Sequence, residues 1–213
     1  FRTDKQGFLP KMMQELYDER VIYKKKMLSA QQEYEDTKDK KYLKLISRYN
    51  NIQMARKISL NSAYGAIGNQ WFRYYDKAIA EGITKSGQLS IRWIENKLNK
   101  YLNNILKTND DYVIASDTDS VYLTMDKLVT ETIKSDNVLS KTINFLDKVA
   151  SESIEPYITK SYDELKQYTN AFANKMFMKR EVIADKGIWV AKKRYILNVW
   201  NSEGISYNES KLK

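Results

Sequence analysis

Cysteine and histidine are both absent from this 213-residue chain. Without thiols there is no disulfide framework and no thiolate zinc site. Without imidazole there is no histidine general base, no Ser-His-Asp or Cys-His arrangement, and no histidine metal ligand. Any metal must be held by oxygen donors, which favours magnesium, manganese or calcium. A run of about 18 apolar residues is also missing, so no transmembrane helix and no membrane partner are expected. No signal peptide is visible, and the expected setting is cytoplasmic.

What is present is a foldable and strongly charged chain. Apolar residues make up 42%, charged residues 30%, and there are 16 tyrosines. The net charge of +9 suits a polyanionic partner such as nucleic acid or phosphate, a property shared by many basic proteins that bind neither. The ends, Phe1-Arg2-Thr3 and Lys211-Leu212-Lys213, start and stop abruptly and are expected to be cut from a longer polypeptide.

Hydrophobic spacing predicts the elements. Pro10 suits a helix start, and Met13, Leu16, Tyr17, Met27 and Leu28 recur at three- and four-residue steps to about residue 32. The charged stretch 33–40 is expected to be a turn, followed by a second helix over about 42–66. The first 70 residues thus read as a long antiparallel helical hairpin. Residues 71–75, Trp-Phe-Arg-Tyr-Tyr, are expected to form a strand or extended link. A third helix over 76–106 carries Ile91, Ile94, Leu98, Tyr101, Leu102 and Ile105 on one stripe, with Gly82 and Gly87 suggesting close packing. Residues 112–115 and 121–125 read as two strands of a hairpin with acidic residues at its tip. Residues 138–168 are expected to be helical, broken or kinked at Pro156. Residues 176–183 and 188–200 read as strands joined by a turn at Asp185-Lys186-Gly187, and Gly204 as a turn leading to a short strand over 205–207. The expected class is α+β, a long helical hairpin projecting from an antiparallel sheet backed by helices.

Three constellations carry potential chemistry. Asp117 and Asp119 lie two residues apart on a tight turn, where two carboxylates can converge on one hard cation. With a third acidic group they could hold two ions for an in-line phosphoryl transfer. The competing reading is that Asp-Thr-Asp-Ser is good turn chemistry. On the helical hairpin, Arg20 and Lys24 are four residues apart, and Lys57, Asn61 and Tyr64 lie at i, i+4 and i+7. Turned to one side, these faces would make a cationic clamp for a triphosphate, with Tyr64 placed to stack on or test a base pair. The competing reading is a solvated basic face. Lys192, Lys193, Arg194 and Tyr195 form a basic run entering a strand, which could hold nucleic-acid phosphates or lie near the acidic centre, although basic triplets are common. Glu181, expected in mid-strand, reads equally as an acidic group near the metal or as a solvent-facing residue.

Together these segments resemble the family B DNA polymerases of the T-even-phage replicative type. The family's fingers motif Lys-x-x-x-Asn-Ser-x-Tyr-Gly stands complete from Lys57 to Gly65, and the segment from Gly68 to Asp76 is similar to the phage enzymes. The palm motif Asp-Thr-Asp-Ser occupies 117–120, and Lys-Lys-Arg-Tyr occupies 192–195. The resemblance implies a lead-in over 1–9, fingers over 10–69 and the C-terminal part of the palm over 70–213. It implies transfer of a nucleotide from a dNTP to a primer 3′-hydroxyl by a two-metal mechanism with Mg2+, or Mn2+ in its place. Asp119 would be the principal metal ligand, with Asp117 the weaker one and Glu181 close by. Arg20, Lys24, Lys57 and Asn61 would grip the incoming triphosphate, Tyr64 would pack beside the nascent pair, and residues 192–195 would hold primer-template DNA. The implied setting is a bacterial or phage-infected cytoplasm.

The chain departs from the family pattern in three ways. Ala115-Ser116 stands where Tyr-Gly is usual before the palm motif, and the fingers tip is short. The upstream palm motif Asp-x-x-Ser-Leu-Tyr-Pro-Ser, which carries the other essential aspartate, does not occur. The 3′–5′ exonuclease and thumb are missing too. The expectation is a fragment or one piece of a split polymerase, inactive alone, with the remaining portions as partners. Two other readings stand beside it: an Asp-x-Asp nucleotide-sugar glycosyltransferase, and a non-catalytic nucleic-acid-binding module.

Overall fold

Three long helices occupy most of the first half of the chain in the computed structural model, which describes residues 3–133, 139–191 and 193–213. They are α1 (Phe8–Thr37), α2 (Lys41–Ile67) and α3 (Lys77–Leu106). The chain divides into two units. One runs through Ile83 and includes Glu203–Asn208; the other comprises Thr84–Ser202 with Glu209–Lys213.

In the first unit, α1 and α2 form the expected antiparallel hairpin. Contacts step backward along α1 as they step forward along α2: Glu33 with Tyr42, Tyr23 with Tyr49, Glu19 with Arg56. The charged stretch expected as a turn is helical through Thr37. Gln32 donates to Asp36 one turn on, so the polar residues support the helix. Only residues 38–40 turn, with Lys38 left-handed (φ 54°) and its N–H bonded to the Tyr34 carbonyl. Residues 71–75 form successive turns instead of a strand or extended link. Phe72 N–H bonds to Asn69 O, Tyr75 N–H to Phe72 O, and Asp76 N–H returns to Ile67 O. Asn69 and Asp76 also accept from Trp71 N–H and Ile79 N–H through their side chains, turn and cap chemistry that outweighs the aromatic composition.

The second unit is organised around α3. Ser90, Ile94, Leu98 and Leu102 recur every four residues and are buried, Ile94 completely. Ile105, expected on this stripe, is 51% exposed. Gly82 and Gly87 do not mark close packing, since a Cβ at either meets no atom within 4 Å. Antiparallel to α3 lies α6 (Glu155–Thr169). The Trp93 indole donates to Ser161 O (2.9 Å), Lys97 pairs with Glu164, and Tyr101 stacks on Tyr157 with centroids 4.1 Å apart. Ile94, Leu98, Val113, Ile154, Ile158, Tyr162 and Leu165 make the core.

The helical stretch around Pro156 changes form just before that residue. After α5 (Leu139–Val149), residues Ala150–Ile154 widen into a π-helical turn, and Pro156 sits in the first turn of α6, where its missing N–H is tolerated. A short helix α4 (Asp126–Thr132) was not expected, and Val138 lies outside the described residues.

Strands β1 (Val113–Asp117) and β2 (Ser120–Leu123) form the expected acidic hairpin. A separate antiparallel sheet has the order β3 (Val182–Ala191), β4 (Arg194–Ser202), β5 (Ile205–Leu212). Here the expected turn is misplaced. Asp185, Lys186 and Gly187 lie within β3, with an irregularity between Ala184 and Lys186, and the chain reverses between Ala191 and Arg194. Gly187 serves close approach. A Cβ there would stand 2.7 Å from Leu197 Cδ2 and 2.8 Å from the Trp189 ring. Residues 176–181 are not strand. Glu203 (φ 53°) and Gly204 (φ 90°) supply the two left-handed positions of a tight turn before β5, which is longer than expected. The class is α+β. Among the described residues no helix is long and apolar enough to cross a membrane.

Candidate active site

The acidic hairpin is held from behind by α3. Asn99 Oδ1 accepts from the backbone N–H of Tyr112 (2.9 Å) and Val113 (3.1 Å), fixing the entry to β1. Asp117 pairs with Ser120, leaving a two-residue loop of Thr118 and Asp119. Asp119 N–H bonds to Asp117 O (2.6 Å) across Thr118, a γ-turn, and Thr118 has φ 51°. A β-branched residue in the left-handed region is costly, about 1–3 kcal/mol, and such strain concentrates at functional sites. The Ser120 hydroxyl donates to Asp117 O and the Thr118 hydroxyl to Asp117 Oδ1 (both 3.0 Å).

The two aspartates differ. Asp117 is half-buried and faces Lys193, with Nζ 4.0 Å from Oδ1. Asp119 is exposed, and its carboxylate has no ion-pair or hydrogen-bond partner among the described residues. Asp117 and Lys193 are 76 residues apart in sequence, and each lies in a hairpin loop or at its base. Lys193 is left-handed (φ 62°), between β3 and β4. Arg194 and Tyr195 open β4 as expected, while Lys192 lies outside the described residues.

The hairpins are joined by rings. Tyr122 packs edge-on against Trp189 and Tyr195, centroids 5.4 Å away in each case. Burial pushes the Tyr122 phenol up to about 12, with a further rise from its hydrogen bond to Tyr195 and a smaller one from the negative charge of Glu181. This cluster was not identified in the sequence. The available signal was the alternation that puts Ser120 and Tyr122 on one face of β2.

Glu181 is not in mid-strand. It precedes β3, its side chain is 58% exposed, and it bonds to Lys213 (3.0 Å). Among the described residues no three acidic side chains gather into a metal-holding group. Oxygen donors suited to a hard cation are present in Asp119 and Asp117, but this pair is a partial ligand set.

In the other unit, Lys57, Asn61 and Tyr64 are exposed on α2, Tyr64 to 43%. Arg20 and Lys57 each follow a member of the Glu19–Arg56 pair that sets the hairpin register. Arg20 is half-buried, and its Nε is shielded without a hydrogen-bond partner among the described residues. Lys24 is half-buried and bonded to Glu203 Oε1 at 2.7 Å, a partner no sequence pattern indicated.

A family model described as DNA polymerase family B matches residues 2–211. The chain is 45% identical over 171 residues to the DNA-directed DNA polymerase of Escherichia phage RB69, covering 76% of this chain and 19% of that one. It is 42% identical over 177 residues to the DNA-directed DNA polymerase of Enterobacteria phage T4, covering 77% and 19%. A DNA polymerase beta of African swine fever virus is 30% identical over 158 residues, covering 71% and 12%. The chain therefore spans about a fifth or less of the length of these relatives.

Proposed function

The chain belongs to DNA polymerase family B, and from this premise we propose that it supplies fingers and part of the palm to template-directed DNA synthesis. Residues 1–9 lead in from the palm, 10–69 are the fingers hairpin and 70–213 the C-terminal palm. The observation that supports this most is the approach of Lys193 to Asp117, which brings the Lys-Lys-Arg-Tyr and Asp-Thr-Asp-Ser motifs to one place.

In this reading Asp119 is the principal carboxylate for a divalent cation and Asp117 the secondary one, its charge shared with Lys193. Magnesium, or manganese in its place, would polarise phosphoryl oxygens and lower the cost of ionising the primer hydroxyl. The γ-turn at Thr118 presents Asp119 outward, and the aromatic cluster keeps the two hairpin tips in register. Lys193, Arg194 and Tyr195 hold primer-template DNA, and Lys192 belongs to the same motif. Arg20, Lys24, Lys57 and Asn61 grip the triphosphate of the incoming dNTP, and the exposed Tyr64 ring lies beside the nascent pair. Glu181, paired with Lys213, would be a further acidic group close to the metal site.

The 213 residues lack the Asp-x-x-Ser-Leu-Tyr-Pro-Ser motif, so the chain alone supplies an incomplete ligand set. The expected partners are a polypeptide bearing that motif with its exonuclease, and a thumb. Primer extension tests this. The purified chain alone should extend no primer, and addition of a polypeptide carrying the upstream motif should restore Mg2+-dependent extension. Robust synthesis by the chain alone would overturn the incomplete-site reading; no synthesis in the supplemented mixture would overturn the polymerase role.

A further inference from the structure

We propose that Glu203 is a carboxylate placeholder on the triphosphate grip, holding Lys24 until a nucleotide's phosphates displace it. The inference rests on the triphosphate-gripping reading of Arg20, Lys24 and Lys57. Among these three cations, within the described residues, Lys24 alone has a carboxylate partner. The bond is 2.7 Å long, and the side chains are only 36% and 23% exposed. Both belong to the same unit, although 179 residues separate them in sequence.

Two features distinguish this contact from an ordinary surface ion pair. The first is the position of Glu203. It occupies a left-handed site (φ 53°) directly before Gly204 (φ 90°), where glycine, asparagine or aspartate suits the backbone and glutamate does not. The residue fits its turn poorly, and its side chain ends on Lys24. The second is the surroundings of Lys24. Arg20, one helical turn earlier, has a solvent-shielded Nε with no partner among the described residues. The neighbouring cation is thus left for another acceptor while Lys24 is neutralised.

A phosphate reaching Lys24 must break the bond to Glu203 or accept its repulsion. A ligand that displaces the carboxylate needs several phosphate oxygens acting together, so the pair penalises weakly charged ligands most. Glu203 acts through Lys24 and is a positioning residue. Its removal frees the ammonium and removes a negative charge, so both effects favour phosphate binding.

The test is equilibrium binding of dATP with Mg2+ to the full chain by calorimetry. Glu203→Gln should tighten binding roughly two- to five-fold, the range expected when one partly exposed pair is relieved. Glu203→Asn, which suits the left-handed turn and cannot reach Lys24, should do the same. In a Lys24→Gln background both should tighten binding much less, because only the loss of a negative charge remains, an outcome a purely structural turn would not produce. Lys57→Gln and Lys24→Gln alone should both weaken binding. If they do so while Glu203→Gln and Glu203→Asn leave binding unchanged or weaker, the placeholder is overturned and the triphosphate grip stands. If Lys57→Gln and Lys24→Gln have no effect, the grip itself fails and the placeholder with it.

Discussion

Helices α1 and α2 together bury only Ala30 and Gln53, whereas α3 alone buries Ser90, Ile94, Leu98 and Leu102, and α6 buries Ile158, Ser161, Tyr162 and Leu165. The helical hairpin is held mostly by half-buried contacts such as Tyr23 with Tyr49 and by exposed pairs such as Glu19 with Arg56. The acidic hairpin, by contrast, stands on a close-packed core, with Asn99 tying down its entry and three rings tying it to the next sheet. A gripping surface can open and close at little cost when few apolar contacts hold it. Ligands for a metal and a primer terminus need fixed positions. On the proposed function, the two regions would differ in the way these tasks differ.

The contrast can be broken most directly in the core. Ile94→Ala should destabilise the unit around α3 by about 2–5 kcal/mol, as expected for truncating a fully buried aliphatic side chain. Met54→Ala in α2, at a position 40% exposed, should stay within about 0.5 kcal/mol. Denaturant titrations of the two variants compare them, and equal losses would remove the distinction. Next in size, Gly187→Ala should cost about 1–3 kcal/mol through overpacking. The buried Leu197 has little room to yield, and the near-ultraviolet signal of Trp189, whose ring the added Cβ also meets, should change with it. Arg56→Gln should cost about 1 kcal/mol or less, since the pair with Glu19 is exposed and screened. It should nevertheless speed amide exchange in α1 and α2 relative to α3 and α6.

The smallest effect is a titration. Tyr122 and Tyr162 are both pushed up to about 12, chiefly by burial. A raised phenol favours the folded state below the unfolded value near 10, and that contribution is lost as pH rises from about 10 toward 12. Ultraviolet titration should show late-ionising tyrosines, and Tyr122→Phe and Tyr162→Phe should each remove one. Loss of a tyrosine that ionises near the ordinary value of 10 in Tyr122→Phe, with the late phase intact, would mean that the ring cluster is open to water.

Much of this was legible in the sequence. The three long helices and the acidic hairpin follow from spacing and from single residues with strong backbone preferences. The errors arose where one residue type serves two purposes. Asp185-Lys186-Gly187 reads as a turn, yet Gly187 is small because Leu197 and Trp189 crowd it, and these residues lie within β3, whose pairing with β4 runs on to Ala191 and Arg194. Residues 71–75 read as extended because they are aromatic, but Asn69 and Asp76 accept the hydrogen bonds that coil them into turns. Glu181 read as a strand residue because its neighbours are apolar, and only the fold shows Lys213 beside it. The Asp117–Lys193 and Lys24–Glu203 contacts depend on tertiary approach between distant segments, which no local pattern encodes.

The central claim is that the exposed carboxylate of Asp119 carries metal-dependent synthesis and that the Lys193-paired Asp117 assists it. Steady-state primer extension should be measured with the chain supplemented by a polypeptide bearing the upstream palm motif, comparing Asp119→Asn, Asp117→Asn and the unsubstituted chain across Mg2+ concentrations. Asp119→Asn should lose at least about 100-fold in rate, the scale for removing one charge-stabilising group from a reaction centre. Asp117→Asn should lose less. Synthesis unimpaired by Asp119→Asn at any Mg2+ concentration would contradict the account.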